Sequence, residues 1–282
     1  MIDTSKNMHF IRRGVGKPLL LVHGLGGSWR SWEPILEQLV ARRDVIAVDL
    51  PGFGTTPPLN GTVSIGTMAD AVIAFLQANE LVGVDVVGSS MGARLVLELA
   101  RRGVVGSVVS LDPGGFWQGA ETTVFSATVG LSLQLVKALQ PIMPLLTDNV
   151  IGRTLLLAQF SSHPWRLSAP LVLQELRNFA RSPSFAPMLD QLVHGPTQQG
   201  ATPLSDRHPM AIGWGRHDHV CFTTQATRAQ AAFPKARLYW FEHSGHFPMW
   251  DSPEETVELI LASTSSKSCD TRRGTAALSN DR

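Results

Sequence analysis

Ser90 stands at the centre of Gly88-Ser89-Ser90-Met91-Gly92. A β-branched apolar run from Val84 to Val87 leads in, and an i, i+4 apolar pattern through Leu95 and Leu99 leads out. A serine on a sharp strand-to-helix turn is a setting for a nucleophile. The two glycines have a mechanical reason, because a Cβ at either position is expected to meet the neighbouring strand or helix. The Ser90 hydroxyl then projects from the end of a sheet. The helix N-terminus behind it offers N–H groups and a positive dipole end to developing negative charge. The plainer role of this segment is a glycine-rich turn capped by serine; the strand and helix that flank it favour the chemical one.

A serine hydroxyl is a poor nucleophile at its free pKa and needs an adjacent base. Histidine suits that work because it titrates near neutrality, and a carboxylate must then hold its tautomer and balance its cation. The chain has nine histidines. His243 and His246 both follow the apolar run Ala236 to Phe241, and only His246 has a glycine before it. Asp112 follows the run Ser107 to Leu111, and Asp218 follows Met210 to Trp214 within His217-Asp218-His219. Either aspartate could serve as the acid.

These residues must be brought together by elements far apart in the chain. Met8 to Arg13 reads as an opening strand, and Leu19 to Val22 as a strand buried on both faces. Trp29 to Val40 is expected as one amphipathic helix with Trp32, Ile35, Leu36 and Leu39 on one side. A strand over Asp44 to Leu50, a helix over Ser64 to Ala78, the Ser90 strand with its helix to Arg101, and a strand over Ser107 to Leu111 follow. From 116 to 208 the pattern is helical and proline-rich. Strands resume at Met210 to Trp214 and Ala236 to Phe241, with a helix at Thr223 to Ala232 between them. A last helix starts near Ser252-Pro253-Glu254-Glu255, with serine as N-cap and proline at the first position. Alternation of this kind implies an α/β fold, a mostly parallel central sheet flanked by helices, with sites at the carboxyl ends of the strands. The expected organisation is a core of residues 1–115 and 209–262, a helical cap over 116–208, and a polar, disordered tail at 263–282.

Composition limits what else the chain can do. It has 282 residues, of which 44% are hydrophobic and 17% charged, enough for a large buried core. A formal net charge of +1 gives no electrostatic case for nucleic acid or an anionic surface. Two cysteines, Cys221 and Cys269, cannot build a disulfide framework, which fits a reducing, cytoplasmic compartment. Residues 1 to 17 lack the apolar stretch of a secretory signal. The most apolar segment, Val124 to Leu146, is interrupted by polar residues and two prolines, so no membrane span is expected.

His23-Gly24-Leu25-Gly26, Asp49-Leu50-Pro51-Gly52-Phe53-Gly54, Gly88-Ser89-Ser90-Met91-Gly92, Gly215-Arg216-His217-Asp218 and Gly245-His246 occur in the order and spacing of the α/β-hydrolase fold. Over residues 8 to 262 the chain resembles serine hydrolases of that fold, esterase- or lipase-like, with a helical lid. The resemblance implies an order of nucleophile, acid, histidine, and so assigns Ser90, Asp218 and His246. It also implies an oxyanion hole from the backbone N–H groups of Leu25 and Met91. His23 is expected as a structural loop histidine. Phe53, Trp117 and Phe247 are candidates for the substrate pocket. Phe125, Met143, Phe160, Trp165, Phe179 and Met188 are further candidates from the cap. Solvated charge is the expected role of Arg166 and Arg177.

By this resemblance the chain is a cofactor-independent hydrolase, without metal, acting on carboxylic esters of small to medium apolar substrates through an acyl-enzyme. Epoxide hydrolases and haloalkane dehalogenases need aspartate where Ser90 stands. Cofactor-free haloperoxidases often carry tryptophan where Leu25 stands. Carbon–carbon bond hydrolases of aromatic ring-cleavage products match in length and lid, but typically have asparagine at the Ser89 position and tryptophan at the Phe247 position. They remain one alternative, and a non-catalytic ligand-binding member of the fold is another.

Overall fold

A computed structural model describes residues 8–265. Seven strands form one sheet: β1 (Phe10–Arg13), β2 (Pro18–Val22), β3 (Asp44–Val48), β4 (Asp85–Ser89), β5 (Val108–Leu111), β6 (Met210–Gly215) and β7 (Arg237–Phe241). Their spatial order is β1-β3-β2-β4-β5-β6-β7. Only β1 runs antiparallel, against β3; every other pair is parallel. The runs of β2 to β6 are buried on both faces, while β1 and β7 at the edges are partly exposed, and alternate side chains go to opposite sides as the pleat requires. Leu20, Val22, Ile46 and Val86 join one core with α2 (Ile65–Ala78) and α3 (Met91–Arg101). Leu19, Leu21, Val45 and Val87 join the other with α1 (Glu33–Val40) and α11 (Pro253–Thr264).

The order reverses direction between β2 and β4. The chain leaves β2 toward β3 on one side and returns to β4 on the other. A crevice opens at such a switch point, outside the carboxyl ends of the strands.

Between β5 and β6 lie α4 (Glu121–Leu139), α5 (Met143–Asp148), α6 (Val150–Leu157), α7 (Ala169–Arg181) and α8 (Phe185–His194). Phe125, Val129, Leu133 and Val136 point inward from α4. Leu131, Leu145, Ile151 and Leu155 stand at least 70% exposed on the outer side of this insertion. The helical stretch Glu121–Asp148 is long and apolar enough, by length and composition, to cross a membrane, although no span was expected there.

The expected helix Trp29 to Val40 is two elements. Ser28 and Ser31 cap a 3₁₀ turn over Trp29–Trp32, and α1 starts afresh with Pro34 in its first turn. Proline has no N–H to continue a helix from the preceding turn. The last helix also differs. The Ser252 side chain makes no cap bond, and a short helix, α10 (Pro248–Asp251), precedes it. The core extends beyond 262: Thr264 ends α11 fully buried and accepts a 2.5 Å bond from Arg43 Nη1. The remainder of the expected tail, with Cys269, lies outside the described residues. α9 (Thr224–Ala232) completes the helices flanking the sheet.

Candidate active site

β4 delivers Ser90 at φ 57°, ψ −115°, a left-handed conformation that costs a non-glycine residue about 1–3 kcal/mol. The surrounding packing imposes it. A Cβ on Gly88 would lie 2.2 Å from the Gly92 carbonyl oxygen, and one on Gly92 would lie 2.3 Å from that of Val22. Both glycines are therefore required by close backbone approach. The register pairs Val22 with Gly88, which brings the loop after β2 beside Ser90. A Cβ on Gly24 would sit 3.1 Å from the Ser90 Cβ.

That loop is held from below by His23. Its Nδ1–H donates to the Gly24 carbonyl at 2.7 Å, and its Nε2 accepts the Leu50 N–H at 2.9 Å. Both bonds require the neutral ring. Burial lowers the His23 pKa against the pull of Asp49, so the ring stays uncharged and structural, as expected. Leu25 and Met91 flank Ser90 on the wall of an apolar cavity. Among the described residues, neither of their N–H groups donates to another backbone group outside regular elements.

The ends of β6 and β7 supply the other two groups. His246 Nδ1 lies 2.8 Å from Asp218 Oδ2, and His246 Nε2 lies 2.8 Å from Ser90 Oγ. The carboxylate takes an Nδ1–H, which leaves Nε2 free to accept the serine proton. Asp218 Oδ1 is fixed by the N–H groups of Val220 and Cys221 at 2.7 and 2.9 Å. Asp218 and His246 are both buried. The three groups thus form one hydrogen-bonded line ending in an exposed-side hydroxyl over the cavity.

Asp112 does not reach His246. It is fully buried, and its Oδ1 accepts the Gly215 N–H at 2.8 Å. Burial, reinforced by the negative charge of Asp218, pushes its pKa well up. His243 is exposed and outside the cavity.

Asp251 is a part that the sequence reading missed. Its buried carboxylate accepts from Ser161 Oγ (2.5 Å), Ser162 N (2.9 Å), His163 N (3.1 Å) and Gly245 N (2.8 Å). It ties the helical insertion to the loop carrying His246. Its only signal in the sequence was a carboxylate five residues after that histidine.

The cavity continues from Ser90 into the insertion. Trp117, Phe125, Phe160, Phe179 and Phe247 line it. Phe53 does not: it is fully buried in the core, edge-on to His23 at 5.6 Å. A phenylalanine in that loop supports the histidine below the cavity instead of the cavity wall. Met143 and Met188 are likewise fully buried packing, and Trp165 is 47% exposed away from the cavity. Arg166 is exposed and Arg177 partly so.

Residues 19–259 match the model of the alpha/beta hydrolase family. The chain belongs to that family. Among its curated relatives, the alpha/beta hydrolase chain is 26% identical over 267 residues to 2-hydroxy-6-oxo-2,4-heptadienoate hydrolase of Pseudomonas putida, covering 90% of each. It is 26% identical over 253 residues to Lipase 1 of Psychrobacter immobilis, covering 88% of this chain and 76% of the relative. A solved thermophilic esterase from Thermogutta terrifontis superposes with a TM-score of 0.68 at 19% identity, over 90% of this chain and 92% of that one. At that identity the likeness bears on the fold.

Asp218, Cys221 and His246 also place one oxygen, one sulfur and one nitrogen within 4.8 Å of one another, a group that could hold a metal ion. Asp218 and His246 already bond to one another and to their neighbours, and burial pushes the Cys221 thiol pKa well up, toward the protonated form that ligates poorly.

Proposed function

We propose that this hydrolase cleaves carboxylic esters of small to medium apolar substrates through an acyl-enzyme on Ser90. The observation that carries the reading is the unbroken line from Ser90 Oγ through the His246 ring to Asp218 Oδ2, both hydrogen bonds 2.8 Å. Ser90 attacks the ester carbonyl as His246 takes its proton. The tetrahedral oxygen forms toward the N–H groups of Leu25 and Met91, where charge-developing oxygens gain most from fixed donors. His246 then returns the proton to the departing alcohol. Water enters and attacks the acyl carbon as His246 removes its proton; the C–O bond to Ser90 then breaks, His246 returns the proton to Ser90 Oγ, and the acyl group leaves as an acid. Asp218 fixes the ring tautomer and balances the imidazolium charge. The apolar wall of Trp117, Phe125 and Phe247 suits an apolar acyl or alcohol chain.

A second reading is carbon–carbon bond hydrolysis of an aromatic ring-cleavage product. It is favoured by the similarity across 90% of both chains to the heptadienoate hydrolase. Ser89 and Phe247, at positions typically held by asparagine and tryptophan, weigh against it. A panel of ethyl and butyl esters of graded acyl length, assayed beside one dienoate ring-cleavage product, tests both. Ester turnover above that of the dienoate is expected. Turnover of the dienoate alone overturns the ester reading.

A further inference from the structure

A carboxyl group on the cap faces the same cavity and has no role in the chemistry above. Glu175 sits on α7, is 8% exposed, and lines the cavity with Ser90. Its Oε2 accepts the Ser31 hydroxyl at 2.8 Å. Its Oε1 is buried and has no hydrogen-bond partner in the structure. Leu157, Leu176, Met249 and Trp250 are among the apolar residues lining the same cavity. Glu175 makes no ion pair among the described residues. Buried polar groups in folded proteins are almost always paired, so a buried oxygen left open beside a substrate cavity calls for a partner from the substrate.

We propose that Glu175 is a specificity residue that receives a single neutral hydroxyl on an otherwise apolar substrate chain. One oxygen is occupied by Ser31, and the other is buried without a partner, on a side chain that lines the cavity. Burial raises the pKa of this carboxyl to about 8, so at neutral pH it carries its proton. A protonated carboxyl both gives and takes a hydrogen bond, and a hydroxyl is the group that can answer both. An ammonium group would demand an ionised Glu175 and would leave its other N–H bonds facing apolar side chains, an expensive arrangement. A substrate carboxylate would meet the negative field of Glu33 and Asp49. The inference uses the cavity assigned to the substrate under the ester reading, and it can be tested apart from turnover.

The test compares wild type with Glu175→Gln, Glu175→Leu and Ser31→Ala. The substrates are ethyl hexanoate and its 3-hydroxy and 6-hydroxy forms, and butyl and hexyl butyrate with the monobutyrates of butanediol and hexanediol. Acid release in a pH-stat gives kcat/KM. At least one hydroxylated ester is expected to exceed its parent by about tenfold in wild type, a gap that a paired polar site readily produces. Glu175→Gln keeps the bond accepted from Ser31 and a donor for the substrate hydroxyl, and keeps the preference. Glu175→Leu loses it and gains on the plain ester. Ser31→Ala keeps it, since Glu175 meets the substrate directly. A uniform loss on all esters in Glu175→Leu, or abolition of the preference by Ser31→Ala, overturns the proposal. Thermal shifts of Ser90→Ala, with and without Glu175→Leu, in the presence of each ester read binding without chemistry. Hydroxyl-selective stabilisation that Glu175→Leu removes upholds the proposal even where no ester turns over, and only the ester reading then falls. Ester turnover without any hydroxyl preference sinks the proposal alone.

Discussion

The backbone N–H of His246 donates to the Phe160 carbonyl at 2.9 Å, so the helical insertion is hydrogen-bonded directly to the residue that bonds Ser90. Asp251 reinforces the join by accepting from three successive residues of the insertion, 161 to 163, and from Gly245. Insertion and base are therefore positioned as one unit.

Asp251→Ala should lower both stability and kcat. The backbone N–H groups of Ser162 and Gly245 lose their acceptor, each worth about 1–3 kcal/mol when left buried and unpaired, while the His163 N–H keeps Ser161 Oγ. Asp251→Asn, which keeps one acceptor oxygen, should fall between. Urea unfolding and kcat on one ester check this; an Asp251→Ala protein with wild-type kcat would show that the join does not position His246.

The acid should be Asp218. Asp218→Asn should cost about three orders of magnitude or more in kcat, because the amide favours the wrong imidazole tautomer. Asp112→Asn should cost little, since His246 bonds Asp218 and the amide oxygen can take over the Asp112 Oδ1 bond to the Gly215 N–H. Parallel kinetics on the two variants decide it, and the reverse order of losses would move the acid to Asp112.

Glu175 should leave a mark on stability as a function of pH. Its carboxyl pKa is raised by burial, and further by Glu33 and Asp49, against the opposing Ser31 bond and Arg30, from 4.5 to about 8. The unfolded chain releases this proton above pH 4.5 while the folded protein keeps it to about pH 8. Folding therefore binds a proton in that window, and wild-type stability from this group falls as pH rises through it, by on the order of 5 kcal/mol in all. Glu175→Gln removes the effect. Urea unfolding at pH 5, 6.5 and 8 should show the variant gaining on wild type at each step; a constant difference would contradict the raised pKa.

Much of the site was legible because its chemistry depends on local constraints that the sequence spells out. Gly88 and Gly92 are dictated by carbonyl contacts near 2.2 and 2.3 Å, and Gly215 by one at 2.0 Å from Gly245, so these positions announce themselves. The strands were legible because burial on both faces requires unbroken apolar runs. Asp251, Glu175 and the placement of Phe53 were not legible. Each depends on which side chain of a helix or loop turns toward a partner about 90 to 144 residues away, or toward a neighbouring loop, and no spacing rule encodes that. The split of the first helix was visible in Pro34, but the apolar face across it masked the break.

Trp117 should set chain-length preference. It packs at 5.0 Å on Phe125 and lies against Gly114 in the cavity wall. Trp117→Leu should raise kcat/KM for long or aromatic acyl esters relative to acetate by several-fold, because it opens the wall while leaving Ser90 untouched. Equal scaling of every ester would assign Trp117 to packing alone.

The most direct measurement is covalent labelling by a serine-directed fluorophosphonate, read by peptide mass. The adduct should sit on the peptide containing Ser90, be absent in Ser90→Ala, and form at least about a hundredfold more slowly in His246→Ala, since the hydroxyl then lacks its base. Undiminished labelling of Ser90→Ala, or no labelling of the folded wild-type protein, would contradict Ser90 as the nucleophile.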